Sequence, residues 1–267
     1  MEKWAERRIL ILGMTYPSYS SRRVENVCTG GLDSEDLRMV RLHPIPRRFM
    51  EEGQCLRGFQ WIAAKTKKHE RDPRPESLEV APDSLRLEDR MPDTDAWRQV
   101  EMLRASPGYV ASLEHLAELQ RTEHRSLGIV EPKVITDAYL QPRTEEDRQA
   151  WLKTEARVLR QGFLFAPPKP LPFPDVEFVI KWACDDARCQ GHRHSLKKWD
   201  LHERYQSLAG DSRRKQKLEG FLREQLDLRQ RKVFFFMGSF RRRLFQFGLM
   251  DMFSTPRASQ LPLFESD

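Results

Sequence analysis

Hydrophobic positions in this chain arrive in short dense runs. "RRILILGMTYPSYS" opens with an apolar run of strand length and then reaches Pro17 among several hydroxyls, which predicts a buried strand followed by a turn. "LRMVRLHPIPRRF" predicts a second strand ended by Pro44 and Pro46, and "GFQWIAAKT" a third. "KKHERDPRPESLEVAPDSLRLEDRMPD" is charged and rich in proline, so it reads as an irregular excursion.

Helical spacing follows. Asp93 or Thr94 is placed to cap "DAWRQVEMLRA", and "PGYVASLEHLAELQRTE" sets Val110, Leu113, Leu116 and Ala117 on one face. "LGIVEPKVITDAYL" returns to strand. "TEEDRQAWLKTEARVLRQG" has the marks of a helix: Thr144 as cap, acids in the first turn and Gly162 at the end. "APPKPLPFP" reads as a stiff linker. It divides an N-terminal α+β region, residues 1–166, from a C-terminal region, residues 167–253, with a tail at 254–267. The C-terminal region opens on the strand "VEFVIKWAC". Two helical stretches follow, "SLKKWDLHERYQSLA" and "DSRRKQKLEGFLREQLDLRQ". "KVFFFMGSFRRRLFQFGLMDMF" predicts a hairpin turning near Gly238. No internal repeat is visible. Strands come in clusters instead of alternating with helices, so the expected class is α+β, with a mixed or antiparallel sheet, several helices and a zinc-binding loop.

Composition narrows the picture. With 267 residues, 39% hydrophobic and 32% charged, the chain has the make-up of a soluble globular protein able to bury a core. No apolar stretch approaches a bilayer span, so no membrane role is expected. "MEKWAERRILILG" lacks the apolar length and small-residue site of a signal peptide. Four cysteines in such a chain do not make a disulfide framework, so a reducing, cytoplasmic setting is expected. The net charge of +6 favours a polyanion partner, above all nucleic acid, without separating DNA from RNA.

"CDDARCQGHRH" gathers Cys184, Cys189, His192 and His194 within a few residues. Zinc takes four tetrahedral ligands from thiolates and imidazoles, which a short loop supplies, and Gly191 lets the backbone bend between them. The fourth place is open between His194, His202, Cys28 and Cys55. The expected site is closed and structural, since no partner base marks a catalytic zinc. Asp200 and Glu203, three apart, would share a helix face and are the carboxylates a metal-dependent nuclease would use. Solvated pairs of that kind are common. No Gly-rich phosphate loop, nucleophile elbow or HExxH motif is present, and the sequence assigns no enzymatic activity.

Two basic stretches are candidate nucleic-acid contacts. "FRRRLFQF" sets Arg241, Arg242 and Arg243 beside Phe240, Phe245 and Phe247. Arginine pairs with phosphate and exposed rings stack on bases, although strand alternation would send the phenylalanines to the core. "SRRKQK" puts Arg213, Arg214, Lys215 and Lys217 at a helix start, where the dipole disfavours cations. Arg22, Arg23 and "RLHPIPRR" are weaker candidates of the same kind.

Two resemblances add to this reading. "GMTYPSYSSRRVENVCTGG", "RLHPIPRRF", "DPRPESL" and the stretch from "CDDARCQGH" to "KKW" resemble the recurring blocks of an uncharacterised bacterial family, over most of residues 8 to 253. That resemblance implies a bacterial origin and one shared architecture, but no activity. The tail "QLPLF" resembles the peptide by which bacterial replication and repair proteins bind the sliding clamp of DNA polymerase. It implies that Gln260 fills a polar subsite, Leu261 supports the extended backbone, and Leu263 and Phe264 enter a hydrophobic pocket. Pro262 argues against a central strand and stiffens the peptide. The expected function is that of a bacterial DNA-associated protein brought to the clamp in replication, repair or mobile-element defence. A toxin-like inhibitor of the clamp and a metal-dependent nuclease are the alternatives.

Overall fold

A computed structural model of the protein describes residues 3–19, 25–45, 56–160 and 171–257. The first half of the chain carries β1 (Ala5–Met14), β2 (Ser18–Tyr19), β3 (Glu25–Asn26), β4 (Thr29–Asp33), β5 (Met39–His43), β6 (Gln60–Lys68), β7 (Ser77–Val80), β8 (Arg86–Arg90) and α1 (Ala96–Ala105). Then come β9 (Tyr109–Val110), α2 (Leu113–Glu123), β10 (Leu127–Val130), β11 (Val134–Pro142), α3 (Glu145–Leu159), β12 (Val176–Ala183) and β13 (His192–Leu196). The chain closes with α4 (Trp199–Ser207), α5 (Arg214–Gln225), β14 (Arg231–Phe240) and β15 (Arg243–Pro256). The class is α+β, as the clustering of strands implies. Among the described residues no helix is long and apolar enough to cross a membrane.

The run "ILIL" is apolar at every position because β1 is buried on both faces. Ile9 and Ile11 point into a first cluster with Val40, Leu42 and Ile62, whereas Leu10 and Leu12 join a second with Phe234 and Phe236. β1 pairs with both β4 and β6, and the sheet order β1-β4-β5-β7-β6 therefore closes on itself as a barrel, with β8 added to β6. Every pairing in the ring is antiparallel except β5 with β7, which is parallel. Counting only barrel strands, the order is first, second, third, fifth, fourth, which is the arrangement of an OB barrel. The ring strand β7 and the added strand β8 lie in the stretch expected to be irregular. Both are short and carry charged residues, and that hides their alternation.

The second half builds two further sheets, β15-β14-β10-β9 and β11-β12-β13. β14 explains "VFFFM" as β1 explains "ILIL". Val233, Phe235 and Met237 face the C-terminal core with Trp182 and Phe178, and Phe234 and Phe236 face the barrel. The hairpin turns at Arg241 and Arg242, later than Gly238, which pairs with Gly248 inside the strands. α3 starts as its sequence predicts: the Thr144 hydroxyl accepts from Asp147 N–H, and the Asp147 carboxylate accepts from Thr144 N–H. α1 begins at Ala96, after a short turn over Asp93–Asp95, and the start of the second expected helix is taken by β9. β11 and β12 pair at eight positions across the proline-rich stretch, so the expected boundary at 166/167 falls between neighbouring strands of one sheet.

Candidate metal centre and basic surface

Cys184 follows the last residue of β12, and the chain turns back to His192 at the start of β13. The turn is built by Asp186, whose carbonyl accepts from Cys189 N–H at 3.0 Å, and by Gly191, which holds φ at +89°, a region that disfavours other residues. Across from this loop, Ser112 caps α2. Its side chain accepts from His115 N–H at 2.9 Å and donates to Asp186 at 2.7 Å, locking helix and loop together. Glu114, in the first turn of α2, is thereby brought to the cysteines.

One donor atom each from Glu114, Cys184, Cys189 and His192 lies within 4.8 Å of the others. His192 Nε2 stands 3.3 Å from Cys184 Sγ, 3.2 Å from Cys189 Sγ and 3.3 Å from Glu114 Oε1. One ring nitrogen cannot satisfy three acceptors, and the second Glu114 oxygen is buried without a hydrogen-bond partner. A cation at the centre would serve all of them. Backbone N–H groups already point at the sulfurs: Leu113 N–H donates to Cys184 and Cys184 N–H to Cys189, each at 3.2 Å. Burial, with Glu114 beside it, pushes the Cys184 thiol up, the condition a bound divalent ion reverses. These residues could hold a metal ion.

His194, one of the four candidates for the fourth place, is turned away. Its Nδ1 accepts from Trp182 Nε1 at 3.1 Å, and burial lowers its pKa to about 4. Glu114 stands in the reach of the other three instead. Sequence reasoning missed it because only folding brings a residue of α2 to the loop. Of the other candidates, His202 is buried between the rings of Tyr16 and Phe178, Cys28 lies against Met250, and Cys55 falls outside the described residues. Asp200 and Glu203 are exposed on α4, and Glu203 accepts from Trp199 Nε1 at 2.6 Å. Among the described residues they belong to no metal-ligand cluster.

The basic stretches fare differently. At the start of α5, Arg214 pairs with Asp175 at 3.0 Å and lies over the Tyr205 ring, and Lys217 pairs with Asp211; Arg213 and Lys215 are exposed. At the hairpin tip, Arg241, Arg242 and Arg243 are all exposed, and among the described residues none of them is ion-paired. Only Phe247 is core, at 7% exposure; Phe240 is 38% exposed and Phe245 67%. Alternation fails because pairing jumps from Ser239↔Phe247 to Phe240↔Arg243, leaving Leu244, Phe245 and Gln246 in a bulge. The tip rests on the barrel loop between β6 and β7. Arg241 donates to the Arg71 carbonyl, and Arg74 donates to the Ser239 carbonyl at 2.7 Å. Asp72 neutralises Arg74; burial opposes its ionisation, but the hydrogen bonds from Arg74 prevail and hold its carboxyl well below the usual range. Arg71 is exposed and adds a further cation. Arg22, Arg23, the "RR" of "RLHPIPRR" and the tail residues Gln260, Leu261, Leu263 and Phe264 lie outside the described residues.

No curated protein matches the chain. One solved structure, of a replication protein A heterotrimer bound to single-stranded DNA, aligns over 96% of this chain and 66% of that one, at 7% identity and a TM-score of 0.23, too distant to carry an argument. Residues 5–105, the barrel with α1, match the model of a domain of unknown function, DUF8758. Residues 110–267 match a second such model, and with more than half of its length covered the chain belongs to the family described as Domain of unknown function, DUF8757.

Proposed function

We propose that this protein is a bacterial DNA-associated factor that contacts nucleic acid through its basic hairpin tip and binds the replication sliding clamp through Gln260, Leu261, Leu263 and Phe264. The observation that carries the nucleic-acid half is the cluster of Arg71, Arg241, Arg242 and Arg243 at one tip, all exposed and, among the described residues, without ion pairs. OB barrels often bind oligonucleotides, which supports the same reading by analogy of fold. The clamp half rests on the tail sequence and on where the body ends. Arg257 is anchored to the carbonyls of Gln230 and Leu228 at the opposite end of the hairpin from the tip. β15 runs the length of the ten-residue β14, which at strand rise puts its two ends roughly 30 Å apart, so a hook and a DNA contact would not compete for space.

The metal in this reading is zinc in a structural role. Two thiolates, an imidazole and a carboxylate suit that ion, and four protein donors leave no position for water. It would tie α2 to β13.

The test is binding of the full chain to a bacterial sliding clamp, beside a variant carrying Leu263→Ala and Phe264→Ala. Binding lost in the variant is expected. Equal binding by both proteins, or none by the wild type, overturns the clamp half. Clamp-dependent DNA synthesis in the same reactions separates a recruited factor, which leaves it running, from a toxin-like inhibitor, which stops it.

A further inference from the structure

We infer that the β14–β15 tip binds unpaired DNA, with Phe245 stacking on a base and Arg71, Arg241, Arg242 and Arg243 meeting phosphates. The inference rests on the nucleic-acid reading above and names its substrate class. Three observations carry it.

First, Phe245 is the most exposed large apolar side chain of the described residues, at 67%. The bulge at Leu244–Gln246 is what aims it outward, and exposed arginines lie on the same tip. An aromatic ring set among unpaired cations is the composition of a single-strand groove, where rings take base faces and arginines the backbone. Second, the tip does not project. Arg241 and Ser239 are both tied to the barrel loop, through the Arg71 carbonyl and the Arg74 guanidinium. A ribbon that enters the major groove of a duplex must reach about 8.5 Å into it. A tip laid against a loop is a platform, and a flexible strand can lie across a platform. Third, the platform is braced from beneath. Phe240 packs over Gly248, where a Cβ would stand 2.9 Å from its ring, and the Arg243 guanidinium lies 5.2 Å from the same ring's centroid. β13, which begins at the metal-site residue His192, runs beside β15, with Lys197 N–H donating to Leu249 O at 3.1 Å. Ordering cost on binding is therefore low.

The test is fluorescence anisotropy of the full chain with a labelled oligothymidylate of about 20 nucleotides, which covers at least one site of the usual size, with a hairpin duplex, and with an oligouridylate of the same length. Tighter binding of oligothymidylate than of duplex is expected. Phe245→Ala should weaken single-strand binding about tenfold without changing its salt dependence, because stacking carries no counterions. Replacing Arg241, Arg242 and Arg243 by alanine should weaken it and flatten the logarithmic salt slope by about two. Thermal melting confirms that each variant is folded. Equal or tighter duplex binding, or full affinity in folded Phe245→Ala, overturns this inference and leaves the nucleic-acid reading standing. No binding of any strand overturns both. Preference for oligouridylate overturns the assignment to DNA.

Discussion

Gly13 and Asp251 meet where the barrel touches the C-terminal sheets, and the contact leaves no room for a side chain on the first: a Cβ there would stand 2.5 Å from Asp251 Cγ. The carboxylate uses that closeness. It accepts from Met14 N–H at 3.1 Å and Met252 N–H at 2.6 Å and pairs with Lys198. Burial raises its pKa, and Lys198 works against that rise. A charge removed from water here is held by three donors at once, which is the condition for tolerating it.

Gly13→Ala should therefore lower stability by about 1–3 kcal/mol, the usual cost of overfilling a packed site. Urea denaturation of the two proteins measures it. An unchanged midpoint would mean that β1 can move away from β15.

Purified protein should carry about one equivalent of zinc by elemental analysis, as a single four-donor site requires. Cys184→Ser and Glu114→Ala should each reduce that content and lower the melting temperature, whereas His194→Ala should keep the metal. Metal lost in His194→Ala and kept in Glu114→Ala would restore the ligand set expected from the local spacing.

His202 gives a pH dependence. Burial, then the nearby charges of Arg143 and Lys197, push its pKa from 6.5 down to about 3. Between those values the unfolded chain takes up a proton that the folded chain refuses, so stability should fall as pH drops from about 6.5 toward 3. In His202→Gln that part of the decline should vanish. Denaturation midpoints of both proteins at pH 7 and pH 5 decide the matter: parallel declines would show that His202 is not the group responsible.

How much of this was legible in the sequence varies with how local each signal is. The cap at Thr144 was readable because donor and acceptor sit three residues apart. Cys184, Cys189 and His192 were readable because a single turn joins them. Glu114 was not, because an ordinary helical glutamate becomes a ligand candidate only when α2 docks on the loop. Strands β7 and β8 were hidden by charge, and Phe245 by a bulge that breaks the alternation of its strand. The barrel itself was invisible, since its closure rests on β1 pairing with two partners at once.

The doubly buried strands β1 and β14 bear on how the chain folds. The two family models abut between residues 105 and 110, yet Leu10, Met39 and Leu103 from one side share an apolar cluster with Phe234, Phe236 and Met250 from the other. Either half alone would present that face to water. The pair is thus one unit of folding, in which each half lines the other's core.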